Sequence, residues 1–109
     1  MNAILILTTV ADSSEADRLA RSLVESRLAA CVNRIGPMRS TYRWNGATEV
    51  AQEYLLLIKT LAEHYPAIER HIRDHHAYST PEIISLTLRD LEPNYRRWLE
   101  SSVSPGIVP

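Results

Sequence analysis

One cysteine, one lysine and three glycines stand among the 109 residues, and each shortage excludes something. With Cys31 alone there is no internal disulfide and no paired-cysteine zinc site within one chain, which suits a reducing, cytoplasmic setting. So few glycines leave no Gly-rich phosphate loop, and neither G-x-S-x-G nor H-E-x-x-H occurs, so the chain reads as a non-enzyme. Charge is nearly balanced. Twelve Lys plus Arg against 13 Asp plus Glu give a formal charge of -1, too weak a field to gather nucleic acid or anionic lipid. No run approaches the ~20 apolar residues of a membrane span. The apolar segment 3–7 lacks a preceding Lys or Arg and is shorter than a signal-peptide core. Neither nucleic acid nor a membrane is therefore an expected partner.

What is present is ordinary for one globular domain over 1–109, with 101–109 as a tail: 45% of positions are hydrophobic and 23% charged. A chain of this mass buries roughly two-thirds of its surface on folding, enough for a core without staples. The run 3–10 is apolar and β-branched and predicts a strand buried on both faces. Ser14 and Asp17 resemble a capping box, after which Ala16, Leu19, Ala20, Leu23, Val24 and Leu28 recur at helical spacing. Small and β-branched residues return over 29–35, a second strand, with Gly36-Pro37 as a break or bulge.

Asn45-Gly46 is the dipeptide favoured in a type I′ hairpin. Strands are expected on both sides, over 38–44 and over 48–60. The thirteen residues 48–60 span ~43 Å at ~3.3 Å each, whereas a globule of this length is roughly 34 Å across. The hairpin tip must overhang, leaving Tyr42, Trp44 and unpaired strand edges in water unless sister chains cover them. A homo-oligomer follows. Leu61, Tyr65, Ile68 and Ile72 predict a second helix with Pro66 in its first turn, 82–88 a last strand, and Pro93 the start of a short helix carrying Tyr95, Trp98 and Leu99. Two split βαβ units of this order make a ferredoxin-like βαββαβ α+β sandwich with an extra C-terminal helix.

Candidate chemistry is sparse. Cys31 is either a small buried hydrophobe or a soft-metal ligand that needs partners from other elements or subunits. His64, His71 and His75 fall within about 60° on a helical wheel. His71 and His75 stand one turn apart, the spacing of a two-histidine metal site, although the same residues border the apolar stripe and suit a half-exposed rim. His76 at the helix end is favoured by the dipole when cationic. Lys59 closes an apolar strand and needs a purpose: an ion pair with Glu82, or a polar cleft where Lys59, Tyr78 and Glu82 meet a ligand against Trp44 of a neighbouring hairpin.

The blocks Leu28-Ala29-Ala30-Cys31-Val32-Asn33, Tyr42-Arg43-Trp44-Asn45-Gly46, Glu53 with Leu55-Leu56-Leu57-Ile58-Lys59-Thr60, His76-Ala77-Tyr78-Ser79-Thr80-Pro81-Glu82-Ile83-Ile84 and Tyr95 with Trp98-Leu99 resemble, in order, those of the divalent-cation tolerance protein CutA family. The resemblance implies a cytoplasmic, ferredoxin-like homotrimer with long hairpins packed between subunits. It also implies a part in tolerance of divalent metal ions, with copper or a similar metal bound but no obligatory cofactor. Cys31 and His76 match its cysteine and histidine positions, and with His75 they form the candidate metal ligands. Trp44, Lys59, Tyr78 and Glu82 are the candidate intersubunit pocket. Ala77 and Ser79 depart from the proline and acidic residue common in that loop, and a missing carboxylate at Ser79 weakens a hard-cation site. Two other classes stay open: a small-molecule sensor like the PII signal-transduction proteins, with its ligand in the intersubunit cleft, and a trimeric assembly scaffold docking through the Ile107-Val108-Pro109 tail.

Overall fold

The computed structural model describes residues 2–103. The scaffold reading placed on Ile107, Val108 and Pro109 falls outside them. In chain order come β1 (Ala3–Val10), α1 (Ser13–Glu25), β2 (Cys31–Trp44), β3 (Ala47–Leu61), a 3-10 turn (Ala62–His64), α2 (Tyr65–His75), β4 (Ile84–Thr87) and α3 (Pro93–Ser102). The strands form one sheet in the order β2-β3-β1-β4, and every neighbouring pair is antiparallel. This is an α+β architecture in which β1 and β2 flank the strand that follows them, as two split βαβ units require. No helix among the described residues is long and apolar enough to cross a membrane.

Alternation assigns the two faces of the sheet. Ile4, Ile6 and Val10 of β1 and Leu56 and Ile58 of β3 point to one side, where Ala16, Leu19 and Leu23 of α1 and Ile68 and Ile72 of α2 complete the main core. The opposite face carries Leu5, Leu7, Leu55 and Leu57, all only half-buried, together with the exposed Ile35, Ile84 and Leu86. α3 covers one end of it, with Leu99 and Val103 packed on Ala3, Ala30 and Leu61.

Local chemistry explains the ends of the elements, with three departures from expectation. The cap of α1 is Asp12, not Ser14: its Oδ1 accepts from the Glu15 amide at 2.7 Å and from the Ser14 hydroxyl at 2.9 Å. A carboxylate reaches the orphan amides better than the following serine does, and these bonds hold the Asp12 carboxyl below its usual pKa. Val24, placed on the buried stripe, is exposed, because α1 ends at the next turn. There Arg27 takes the left-handed conformation at φ 62°, and its guanidinium bonds the carbonyls of Ser101 and Val103 at 3.0 and 3.3 Å, tying α1 to α3. Third, β4 is four residues long rather than spanning 82–88, since it finds only Ile4 to Leu7 of β1 to pair with.

The hairpin follows its sequence signal, with Asn45 at φ 51° and Gly46 at φ 80°. β1 ends opposite Tyr54, so 38–44 and 47–53 continue alone as a two-stranded ribbon. The molecule measures 44 × 29 × 24 Å, and its long axis matches the overhang expected from strand length. A bulge at Gly36-Pro37 interrupts the β2–β3 ladder between Ile35 and Met38.

Candidate functional site

The cleft lies where the root of the ribbon meets the loop after α2, and it encloses about 620 Å³. Thr9 and Glu53 line it from the sheet, Tyr42 and Trp44 from the ribbon, and Tyr78 and Glu82 from the loop. The ribbon side chains reach it together because Trp44, Tyr42 and Ser40 alternate onto the strand face they share with Glu53, which pairs with Met38. Ser40, Thr41, Ser79 and Thr80 complete the lining.

A relay of hydrogen bonds fixes the loop. The His76 side chain is fully buried; its Nε2–H donates to the Thr9 carbonyl at 2.6 Å, while its Nδ1 accepts from the Tyr78 amide at 3.0 Å. A carbonyl can only accept and an amide only donate, so these partners set the neutral ring's tautomer. The Tyr78 ring tilts against the imidazole at 4.8 Å between centroids, and its hydroxyl donates to Glu53 Oε2 at 2.9 Å. Burial, then the bond to Glu53 and the negative charge around it, push the Tyr78 phenol up to about 12. It stays a hydrogen-bond donor throughout the physiological range. Glu15 Oε1 lies 3.9 Å from His76 Nδ1 and is buried without a hydrogen-bond partner.

The structure therefore brings Trp44, Tyr78 and Glu82 of the same chain into one cleft. Lys59 is not with them. It pairs with Leu5 and Cys31, four residues along the sheet from Thr9 and hence ~13 Å away. Its Nζ lies 6.0 Å from the Tyr95 ring centre, so the partner of Lys59 is the face of Tyr95 and not the carboxylate of Glu82. Cys31 sits beside Lys59, half-exposed, its thiol weakly donating to Asn33 Oδ1 at 3.7 Å. That end of the sheet is remote from His76. His75 donates Nδ1–H to the His71 carbonyl at 2.8 Å and stacks on the His71 ring at 4.3 Å. The Ser22 hydroxyl spends its proton on the Leu19 carbonyl, so His71 donates Nε2–H to it at 2.8 Å. Burial first, and then the neighbouring His75, lower the pKa of His71. No three metal-ligating side chains gather among the described residues.

Sequence spacing missed a role for Glu53 and Thr9. A signal existed: Glu53 interrupts the otherwise apolar alternation that continues through Leu55 and Leu57, and an acid at a buried strand position needs a partner.

Fold and cleft together define a small α+β protein whose residues 4–102 match the family model described as CutA1 divalent ion tolerance protein. Among its relatives is the divalent-cation tolerance protein CutA of Pectobacterium atrosepticum, 40% identical over 94% of this chain and 93% of that one. Crystallised CutA1 from Oryza sativa superposes with a TM-score of 0.93 at 34% identity, covering 95% of each chain. A protein from Archaeoglobus fulgidus described as periplasmic divalent cation tolerance protein CutA gives a TM-score of 0.91 at 30% identity, over 94% of this chain and 99% of its own. The chain belongs to the CutA1 divalent ion tolerance family.

Proposed function

We propose that the whole chain, as a single domain, works as a homotrimer of ferredoxin-like subunits that binds copper, or a similarly thiophilic divalent metal, stoichiometrically and without catalysis. The observation that carries this reading is the uncovered sheet face. Half-buried Leu5, Leu7, Leu55 and Leu57 next to exposed Ile84 and Leu86 are more contiguous apolar surface than a solitary chain keeps in water. Closing that face between copies brings the Cys31 thiol of each subunit toward a shared seam. Assembly supplies what one chain lacks, since a single thiolate is an incomplete soft-metal site.

Cys31 and His75 are the donors with an unengaged atom. The neutral His75 ring leaves Nε2 bare because Nδ1–H is spent on the His71 carbonyl, the arrangement in which a backbone acceptor orients a metal-binding imidazole. His76 ligates only by surrendering the Tyr78 amide, so its service is to the loop. The free Cys31 thiol supports a reducing, cytoplasmic setting.

Calorimetry of the reduced protein with Cu(I), Cu(II) and Zn(II), beside light scattering at dilute concentration, tests the proposal. We expect the mass of three chains and copper uptake that falls at least roughly tenfold in Cys31→Ser. A stably folded solitary chain, or copper affinity unchanged in Cys31→Ser, overturns it.

A further inference from the structure

The stacked histidines of α2 carry a signal that a thiolate seam leaves unused. His71 and His75 stand one turn apart, with ring centroids separated by 4.3 Å and planes inclined by 24°. Each ring has one nitrogen committed and one bare. His71 Nε2–H goes to the Ser22 hydroxyl of α1 at 2.8 Å, leaving Nδ1 as a lone-pair donor, and His75 Nδ1–H goes to the His71 carbonyl at 2.8 Å, leaving Nε2. A ring whose N–H is anchored on a protein oxygen is the oriented form in which imidazole binds a metal. Two nitrogens sharing one ion at about 2.0–2.1 Å each stand about 3 Å apart, so rings this close need only a small swing of the exposed His75. The surroundings suit a cation taken up from water. α1 and α2 cover the sheet face opposite the one closed between copies, so the pair stays outside the seam in an oligomer. Arg18, Arg21 and Arg73 turn along their own helices to Ser14, Glu25 and Glu69, and the titratable groups that act on His71 are His75 and Asp74. The Asp74 carboxylate favours positive charge at the pair. His64 is buried and His76 is held by Thr9 and Tyr78, so neither joins it.

We propose that His71 and His75 form a second metal site on the outer helical face of each subunit, a chelating imidazole pair for a borderline divalent ion such as nickel or zinc, with water in the remaining positions. Imidazole suits such ions, whereas hard magnesium and calcium prefer oxygen. Ser22 is a positioning residue that holds the His71 ring with Nδ1 bare. With only two protein ligands the ion exchanges readily, unlike one in a closed four-ligand structural site. The site rests on the proposed metal binding only in sharing His75, and it needs neither Cys31 nor a second copy of the chain.

Nickel(II) is the probe, added to the full chain, with magnesium(II) as the hard-ion control. We expect calorimetry to show saturable uptake of one Ni(II) per chain and none of Mg(II). In NMR spectra the paramagnetic Ni(II) should broaden the ring signals of His71 and His75 well before those of His64 and His76. His75→Gln, an exposed substitution that spares the core, should weaken Ni(II) at least roughly tenfold, whereas Cys31→Ser should leave it unchanged, the reverse of the copper pattern expected at the seam. No saturable uptake, an unaltered affinity in His75→Gln, a loss in Cys31→Ser, or equal broadening of all four histidines overturns the proposal. The two readings fail separately: copper affinity unchanged in Cys31→Ser strikes the seam alone, and nickel affinity unchanged in His75→Gln strikes this pair alone.

Discussion

The same two strands live in two environments. At their roots β2 and β3 belong to a four-stranded sheet, where Leu56 and Ile58 are fully buried beneath α1 and α2. Beyond Tyr54 they run on as a ribbon whose Trp44 and Val50 are 52% and 53% exposed. Backbone pairing resumes beyond the bulge and runs to the tip, so hydrogen bonding between the two strands does not distinguish the regions. The difference is side-chain burial, and it teaches that strand pairing can continue well past the core of its own chain.

The largest test of that contrast is truncation in each region. Leu56→Ala should lower unfolding free energy by about 2–5 kcal/mol in urea denaturation, because the sealed core cannot collapse onto the space. Val50→Ala should cost no more than about 0.5 kcal/mol in a chain whose ribbon stands in water. An equal effect at both positions would show that the ribbon is covered as deeply as the core.

The joint between the regions comes next. Gly36 has φ +144°, and a Cβ there would lie 2.8 Å from Tyr54 Cδ2 and 3.1 Å from the Glu53 carbonyl. Both the backbone conformation and the space demand glycine, so Gly36→Ala should cost about 1–3 kcal/mol by the same denaturation assay. A neutral result would mean that the joint is soft.

Tyr78→Phe gives the smallest effect, about 1 kcal/mol for the lost bond to Glu53, with faster amide exchange at Tyr78 itself. Its pH signature sharpens the test. The folded phenol titrates at about 12 against an ordinary 10.0, so the unfolded chain loses its proton first as pH rises. The contribution is complete below pH 10 and disappears as pH climbs through 12. Absorbance of the phenolate during alkaline titration should show a late tyrosine that is lost in Tyr78→Phe, while Tyr65, whose phenol is also raised by burial and by Glu69, is unaffected by that substitution.

Much of the body was legible in the residues, for reasons that differ by element. Asn45-Gly46 specifies a turn almost alone, because few other pairs accept positive φ twice. Helical stripes such as Leu19 with Leu23, and Ile68 with Ile72, announce their buried faces through spacing. Gly36-Pro37 marked the bulge. Lys59 was harder: local spacing says that a cation needs a partner but not which end of a sheet offers one, and the choice between Tyr95 and Glu82 is made only when α3 folds across that end. His76 likewise has a position that suits a helix dipole, while its two actual partners, Thr9 and Tyr78, depend on how the loop meets β1. Glu53 stood in a family block without a role, since its partner Tyr78 is 25 residues away in the chain.

The bulge also decides the sign of a surface. Two residues of β2, Gly36 and Pro37, oppose Tyr54 alone, so odd-numbered β2 residues share Leu55's side before the interruption and even-numbered ones share Glu53's side after it. Were Gly36 and Pro37 both paired regularly, with no bulge to absorb the extra residue, Arg39, Thr41 and Arg43 would look toward Glu53 in place of Ser40, Tyr42 and Trp44. The bulged pairing thus sets an aromatic row, in place of a cationic one, on Glu53's side across the outer half of the hairpin.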